Sequence, residues 1–180
     1  MLFKNDRIPR MNEYGKYLSE HINGVKDAFN SVYQKLLEDE VFIDYELGCI
    51  STRINRHDAS KYEQAEYDAY LNHFYPIGGG EIPKNGEDIE FEKAWLHHQR
   101  NNSHHWQYYV LIRDGGEPFA LDMSDYDIIE MLCDWHSFSR KNPESTAAYW
   151  YAKNGNKMIL SDSTRTRVEM YIKYFEEPLK

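Results

Sequence analysis

A chain of 180 residues is long enough for one well-buried core and short for two, so a single domain is expected. Its formal net charge of −9 opposes an extended basic face. A nucleic acid held along its backbone is therefore a poor partner, while a small anionic substrate needs only a local positive site.

Hydrophobic residues make up 41% and charged residues 28%, ordinary for a soluble globular protein, whereas 15 tyrosines and an aromatic share of 15% are high. The surplus ring surface points to a core or cleft walled with aromatics. Cys49 and Cys133 are too few and too far apart for a thiolate metal site or a disulfide scaffold, and they fit a reducing cytosol. The N-terminal Met-Leu-Phe-Lys-Asn-Asp-Arg lacks the apolar run of a signal peptide. No later stretch approaches the roughly 20 apolar residues of a membrane span. A cytoplasmic protein without a membrane partner is expected, with residues 1–10 a tail and 11–180 one helical domain.

From Met11 to about Glu40, the residues Leu18, Ile22, Val25, Phe29, Val32 and Leu36 step by three or four, which predicts an amphipathic helix. His21 falls on the same inward stripe. An imidazole there ordinarily satisfies itself with a carbonyl or carboxylate, and it is also where a ligand to an interior metal must sit. Val41 to Ser51, around Gly48, reads as a short helix or an irregular turn. A second helix is predicted from Ile54 to about His73, presenting His57, Asp58, Lys61, Ala65 and Ala69 in a row. On a helix, Asp58 lies three positions and His57 four from Lys61, so the three side chains converge. A neutral imidazole and a carboxylate suit a borderline or hard divalent ion, and an ammonium one turn away suits a phosphate. Taken alone, a His-Asp dipeptide is more often a surface imidazole beside a solvated carboxylate. Arg53 and Arg56, just ahead of it, read as solvated.

Pro76 to Gly86 is a loop by composition, and its glycines lack the Gly-Lys-Ser/Thr of a phosphate cradle. It reads as a connector or lid. Asp88 to about Arg100 forms a third helix with Phe91, Ala94, Trp95 and His98 on one face and His97 on another. Asn101-Asn102-Ser103 stops it and caps a fourth segment running from His104 and His105 to about Ile112. Four histidines fall within nine residues here. A surface cluster binds metal only adventitiously, but His98 shares an apolar face, and Trp106, Tyr108 and Tyr109 pack the turn that carries His104 and His105.

After a loop at Asp114-Gly115-Gly116, Ser124 and Asp127 have the spacing of a capping box for a helix through about Phe138. In it Asp134 sits among Ile128, Met131, Leu132 and Trp135. A carboxylate there is costly to bury unless paired or metal-bound, and an exposed place at the edge of the stripe fits equally well. Asn142-Pro143 begins a helix ending near Gly155, and Ser161 caps a last helix to about Phe175; neither carries evident chemistry. The expected fold is an all-α bundle of about six or seven helices.

His21, His57, Asp58, His98, His104, His105 and Asp134 are more nitrogen and oxygen ligands than one ion needs. They suit one or two divalent ions from among Mn, Fe, Co, Ni, Zn and Mg. The ordered His21, His57-Asp58 and distant Asp134 resemble the HD-domain superfamily of metal-dependent phosphohydrolases, over most of residues 18 to 138. The resemblance implies an HD-like helical domain with a metal on those four residues. It also implies that His98, His104 and His105 hold a second ion. Lys61 looks like the lysine of the His-Asp-x-x-Lys variant in two-metal cyclic-dinucleotide phosphodiesterases, where it contacts phosphate. Here His98 and the His104-His105 pair lie closer together than in those enzymes, and the superfamily's short nucleotidases carry a glutamate where this chain has Lys61. The chain is also similar over nearly its full length to a family of small bacterial and phage proteins without assigned function.

The implied activity is hydrolysis of a phosphate ester in a nucleotide or related small metabolite. Asp58 or Asp134 would orient the attacking water and Lys61 would stabilise charge on the phosphoryl oxygens. Two rivals remain open at this point. The superfamily includes di-iron oxygenases, to which a His-rich site is equally suited, and the histidines also fit a non-catalytic, metal-stabilised interaction protein.

Overall fold

The computed structural model describes residues 6–180. Within them the chain is mainly α, with seven α-helices and one small hairpin. The helices are α1 (Arg7–Glu38), α2 (Asp44–Ile54), α3 (Tyr67–Phe74), α4 (Ile89–Asn101), α5 (Asp125–His136), α6 (Ala147–Asn154) and α7 (Asp162–Tyr171); the strands are β1 (Val110–Ile112) and β2 (Pro118–Ala120). No helix among the described residues is long and apolar enough to cross a membrane. Of the expected N-terminal tail, residues 1–5 lie outside the described residues, and Arg7 to Arg10 already belong to α1.

Contacts divide the chain into two compact units. The first comprises the segment up to Glu20 and Asp58–Asn102, the second His21–His57 and Ser103–Lys180. In the first unit, Tyr14 and Leu18 of α1 pack with Tyr70 and Leu71 of α3 and Ala94 of α4, and Met11, Tyr67, Phe91 and Trp95 lie against them. Asp88 caps α4 by accepting the Phe91 N–H at 3.1 Å, and Glu90 and Glu92 in the first turn complement the helix dipole.

In the second unit, Val25, Ala28, Phe29, Val32 and Leu36 of α1 meet Leu47, Ile50 and Ile54 of α2, and α5 contributes Ile128, Ile129, Met131, Leu132 and Cys133. Residues 127–133 of α5 are all buried, so this helix is covered on every side and its acids go inside with its aliphatics. Gly24 sits where α1 runs past the end of α5. A Cβ there would lie 3.2 Å from the Ser137 Cβ, and glycine permits that approach.

The stretch predicted as one helix from Ile54 to His73 is broken. α2 ends at Ile54, Asp58 adopts the left-handed conformation with φ of 57°, and a 3₁₀ turn follows over Ala59–Tyr62. Aspartate is among the few residues that tolerate that conformation, so the helix-forming composition downstream does not carry the helix through it. Lys61 still meets Asp58, because residues three apart eclipse in a 3₁₀ turn. Val41 to Ser51, open between helix and turn, supplies most of α2, whose first turn is tied by the Ile43 N–H donating to the Glu46 carboxylate.

The segment after His105 becomes a 3₁₀ turn over Trp106–Tyr109 and then β1. Val110 pairs with Ala120 and Ile112 with Pro118, antiparallel across a turn at Gly116 with φ of 87°. The apolar, partly β-branched run and the Asp-Gly-Gly turn win over a helix there. Ser124 and Ser161 cap α5 and α7 as expected. Asn142 instead accepts the Glu144 N–H inside a turn, and Thr146 caps α6.

Candidate metal centre

The second unit gathers side chains from four places: His21 of α1, His57 in the turn after α2, His104 ahead of the 3₁₀ turn, and Glu130 and Asp134 one turn apart on α5. His21 Nε2 lies 3.2 Å from Asp134 Oδ1, and His57 Nε2 lies 3.7 Å from the same oxygen. One donor atom from each of His21, His57 and Asp134 falls within 4.8 Å of the others, and the same holds for His57, His104 and Glu130. His57 is common to both sets. The His57 and His104 rings are 4.3 Å apart, as are those of His104 and His105.

The supports of these side chains are local. The Ser137 hydroxyl donates to the Asp134 carbonyl at 2.7 Å and lies 3.3 Å from His21 Nδ1, while the His21 ring stacks on Phe138. Glu130 accepts from His57 Nδ1 at 3.0 Å, and His104 Nδ1 is 3.2 Å from the same oxygen. Arg53 Nε stands 3.3 Å from the other Glu130 oxygen and its guanidinium pairs with Asp127. Arg53 is thus no solvated charge: its side chain is 35% exposed and its head is engaged by two acids.

Burial alone would raise the Glu130 carboxyl. The hydrogen bonds from His104 and His57 outweigh it and hold the group well below the usual carboxylate range. Asp134 behaves alike, with burial opposed by hydrogen bonds from His21 and His57 and the net shift strongly downward. Burial pushes His104 down, and the neighbouring His57 adds to that shift. Ionised carboxylates with a neutral imidazole are the forms that bind divalent metals. The donor set is all nitrogen and oxygen, converges from separate elements and includes no thiolate, so it fits a borderline or hard divalent ion.

The first unit has its own charged cluster. Lys61 donates to Asp58 Oδ2 at 2.6 Å, Asp58 Oδ1 lies 3.2 Å from His98 Nε2, and His98 Nδ1 lies 2.7 Å from Glu66 Oε2. Burial would lower the His98 pKa, but hydrogen bonds to Asp58 and Glu66 raise it overall. His97, expected to be exposed, is half-buried and meets the second Glu66 oxygen at 2.8 Å. Beside this cluster opens a cavity of about 430 Å³ walled by Tyr17, Lys61, Tyr70, Phe74, Phe91 and Trp95.

Of the residues singled out from sequence, the second unit brings together His21, His57, His104, His105 and Asp134, and the first unit brings together Asp58, Lys61 and His98. Glu130 and Glu66 were not anticipated. Glu130 had a signal, since it sits four residues before Asp134 in a helix whose apolar run leaves no polar face. Glu66 had none, because it precedes α3 among polar residues and meets His98 from 32 positions away.

Fold and site define a mainly α protein with buried imidazole and carboxylate groups close enough to hold a metal ion. The chain belongs to the family of unknown function DUF5662, whose profile spans residues 10–174. No curated protein and no solved structure matches it.

Proposed function

We propose that the protein is a metal-dependent phosphohydrolase acting on a nucleotide or another small phosphate ester. The observation that carries this reading is the convergence of His21, His57 and Asp134 within 4.8 Å, from positions ordered as in the HD-domain signature. In it His21, His57 and Asp134 hold the ion, and His104 with its neighbour His105 supplies donors for a second. A divalent ion so held supplies Lewis-acid polarisation and a bound water acidic enough to attack at neutral pH.

The chain's own groups do the rest. Asp134, held ionised, accepts a hydrogen bond from the attacking water and orients it. Lys61, 12% exposed at the wall of the first unit's cavity, is the cation that an anionic group entering that cavity would meet. The volume of that cavity falls within the range of small-molecule sites, and its rings offer faces for a nucleobase.

The test begins with untagged protein and elemental mass spectrometry. Stoichiometric metal in the wild type, lost in His57→Ala and Asp134→Ala, followed by metal-dependent release of phosphate from a panel of esters, is the expected result. Two bound irons with oxygen uptake and no phosphate release would replace this reading with the di-iron oxygenase one. Absence of metal after reconstitution would remove both.

A further inference from the structure

Phe91 and Trp95 stand one turn apart on α4, and each ring is backed by a histidine. Phe91 stacks on His73 with 3.8 Å between centroids and 12° between planes, and Trp95 stacks on His98 at 5.7 Å and 20°. Both line the first unit's cavity of about 430 Å³, so two of its walls are flat, apolar and set in place before anything enters. A planar aromatic ring is the shape that such walls accept.

The polar groups of the cavity are few and differ in kind. Lys61, tied to Asp58 and lying over the Tyr70 ring at 5.6 Å, is its cation. Glu92, half-buried, is its acid, and Asn85 adds a carboxamide at the exposed rim. One Glu92 oxygen accepts the Gly86 N–H at 2.7 Å, where Gly86 turns the chain with φ of 83°. That bond fixes the carboxylate, and no cation among the described residues pairs with it. A carboxylate only accepts, and with about four lone-pair sites it can take the Gly86 N–H and a ligand's N–H groups together.

The order of groups along a base decides which ring suits this rim. Guanine sets two donors side by side, N1–H and the N2 amine, next to the O6 acceptor. A carboxylate can take both donors while a carboxamide N–H donates to O6. Adenine and cytosine place a bare ring nitrogen beside their amine, and its lone pair would face the carboxylate. Uracil has one N–H between two carbonyls. We infer that the cavity is a guanine subsite, with the base against Phe91 and Trp95 and its N1–H and N2 amine on Glu92, so that the small phosphate ester is a guanine nucleotide. The hydrolytic half rests on the proposed function; the recognition of the base does not.

Calorimetric titration of the untagged full chain with guanosine monophosphate (GMP) and adenosine monophosphate (AMP), in chelator so that no metal takes part, tests the subsite. GMP is expected to bind roughly 10- to 100-fold tighter than AMP, the discrimination typical of one bidentate pair. Glu92→Gln keeps an acceptor for Gly86 but replaces one oxygen by a donor, which opposes guanine N1–H and suits the bare N1 of adenine. It should erase the preference or invert it. No saturable GMP binding, AMP bound as tightly as GMP, or an unchanged preference in Glu92→Gln overturns the inference. The proposed function stands or fails separately. Metal-dependent hydrolysis of esters regardless of base, with no preference for GMP, keeps that reading and ends this one, whereas GMP selectivity in a protein that never takes up metal does the reverse. Asn85→Ala, at an exposed loop position, should weaken GMP more than AMP, and it carries the test should Glu92→Gln fail to fold.

Discussion

His98 lies between two carboxylates, with Asp58 Oδ1 at 3.2 Å and Glu66 Oε2 at 2.7 Å, and all three residues are buried. Lys61 on Asp58, and His97 and Ser60 on Glu66, are further partners of the pair. Removing the imidazole leaves two buried acids with much of their compensation gone. His98→Leu should therefore lose about 3–5 kcal/mol of unfolding free energy, read as a lower urea midpoint at unchanged slope. A loss near that of an ordinary surface change would show that the network is not holding this unit together. The inward face of His98 was legible from its spacing with Phe91, Ala94 and Trp95. Its partner was not, because the step from His98 to Glu66 is a tertiary one that no helical period encodes. The same holds for Arg53: arginines ahead of a polar turn read as solvated until Asp127 and Glu130 arrive from α5, more than 70 residues later.

The strongest periodic elements were the legible ones. Leu18, Val25, Phe29, Val32 and Leu36 announce α1, and His21 on their stripe is where the chain needs a donor. What the period cannot show is a single left-handed residue such as Asp58, or an apolar three-residue strand after a 3₁₀ turn. Element contacts then set the site's dimensions. Gly24, one turn beyond His21 on the same helix, lets α1 come close to Ser137, so that His21 can reach Asp134 at 3.2 Å. Gly24→Val should overpack this crossing at about 1–3 kcal/mol and weaken metal binding more than it changes helix content by circular dichroism. Retained metal affinity at reduced stability would separate the crossing from the site.

At the start of α4, Asp88→Ala should cost about 1 kcal/mol as a lost N-cap. The Asp88 carboxyl is lowered: burial opposes, and the Phe91 N–H and His73 bonds prevail. A folded-state pKa below the unfolded one gives stability that is complete above the unfolded value, near 3.9, and fades as pH falls through the folded value. The wild-type advantage over Asp88→Ala should thus be flat at neutral pH and shrink below about pH 4. An advantage that grew on acidification would contradict the capping role.

Across the whole chain, six of the eight histidines are buried: His21, His57, His73, His98, His104 and His136. Two of them have plain structural uses. His73 faces Asp88 and stacks on Phe91, and His136 accepts the Ala147 N–H. Histidine count alone therefore overstates the site, and only convergence with Asp134 and Glu130 separates donors from packing. With a net charge of −9, any divalent salt also screens self-repulsion and stabilises the fold without a site. Specific binding has a different signature. An ion that binds only the folded state adds about 2.7 kcal/mol at a hundredfold excess over its dissociation constant, or roughly 5–10 °C in Tm for a chain of this size. Thermal unfolding in chelator and in excess Mn(II) or Zn(II) at matched ionic strength should show that rise in the wild type. In His21→Gln, which keeps the net charge and hence the screening, only the small non-specific part should remain. Equal shifts in both proteins would assign the whole effect to screening and remove His21 from the centre.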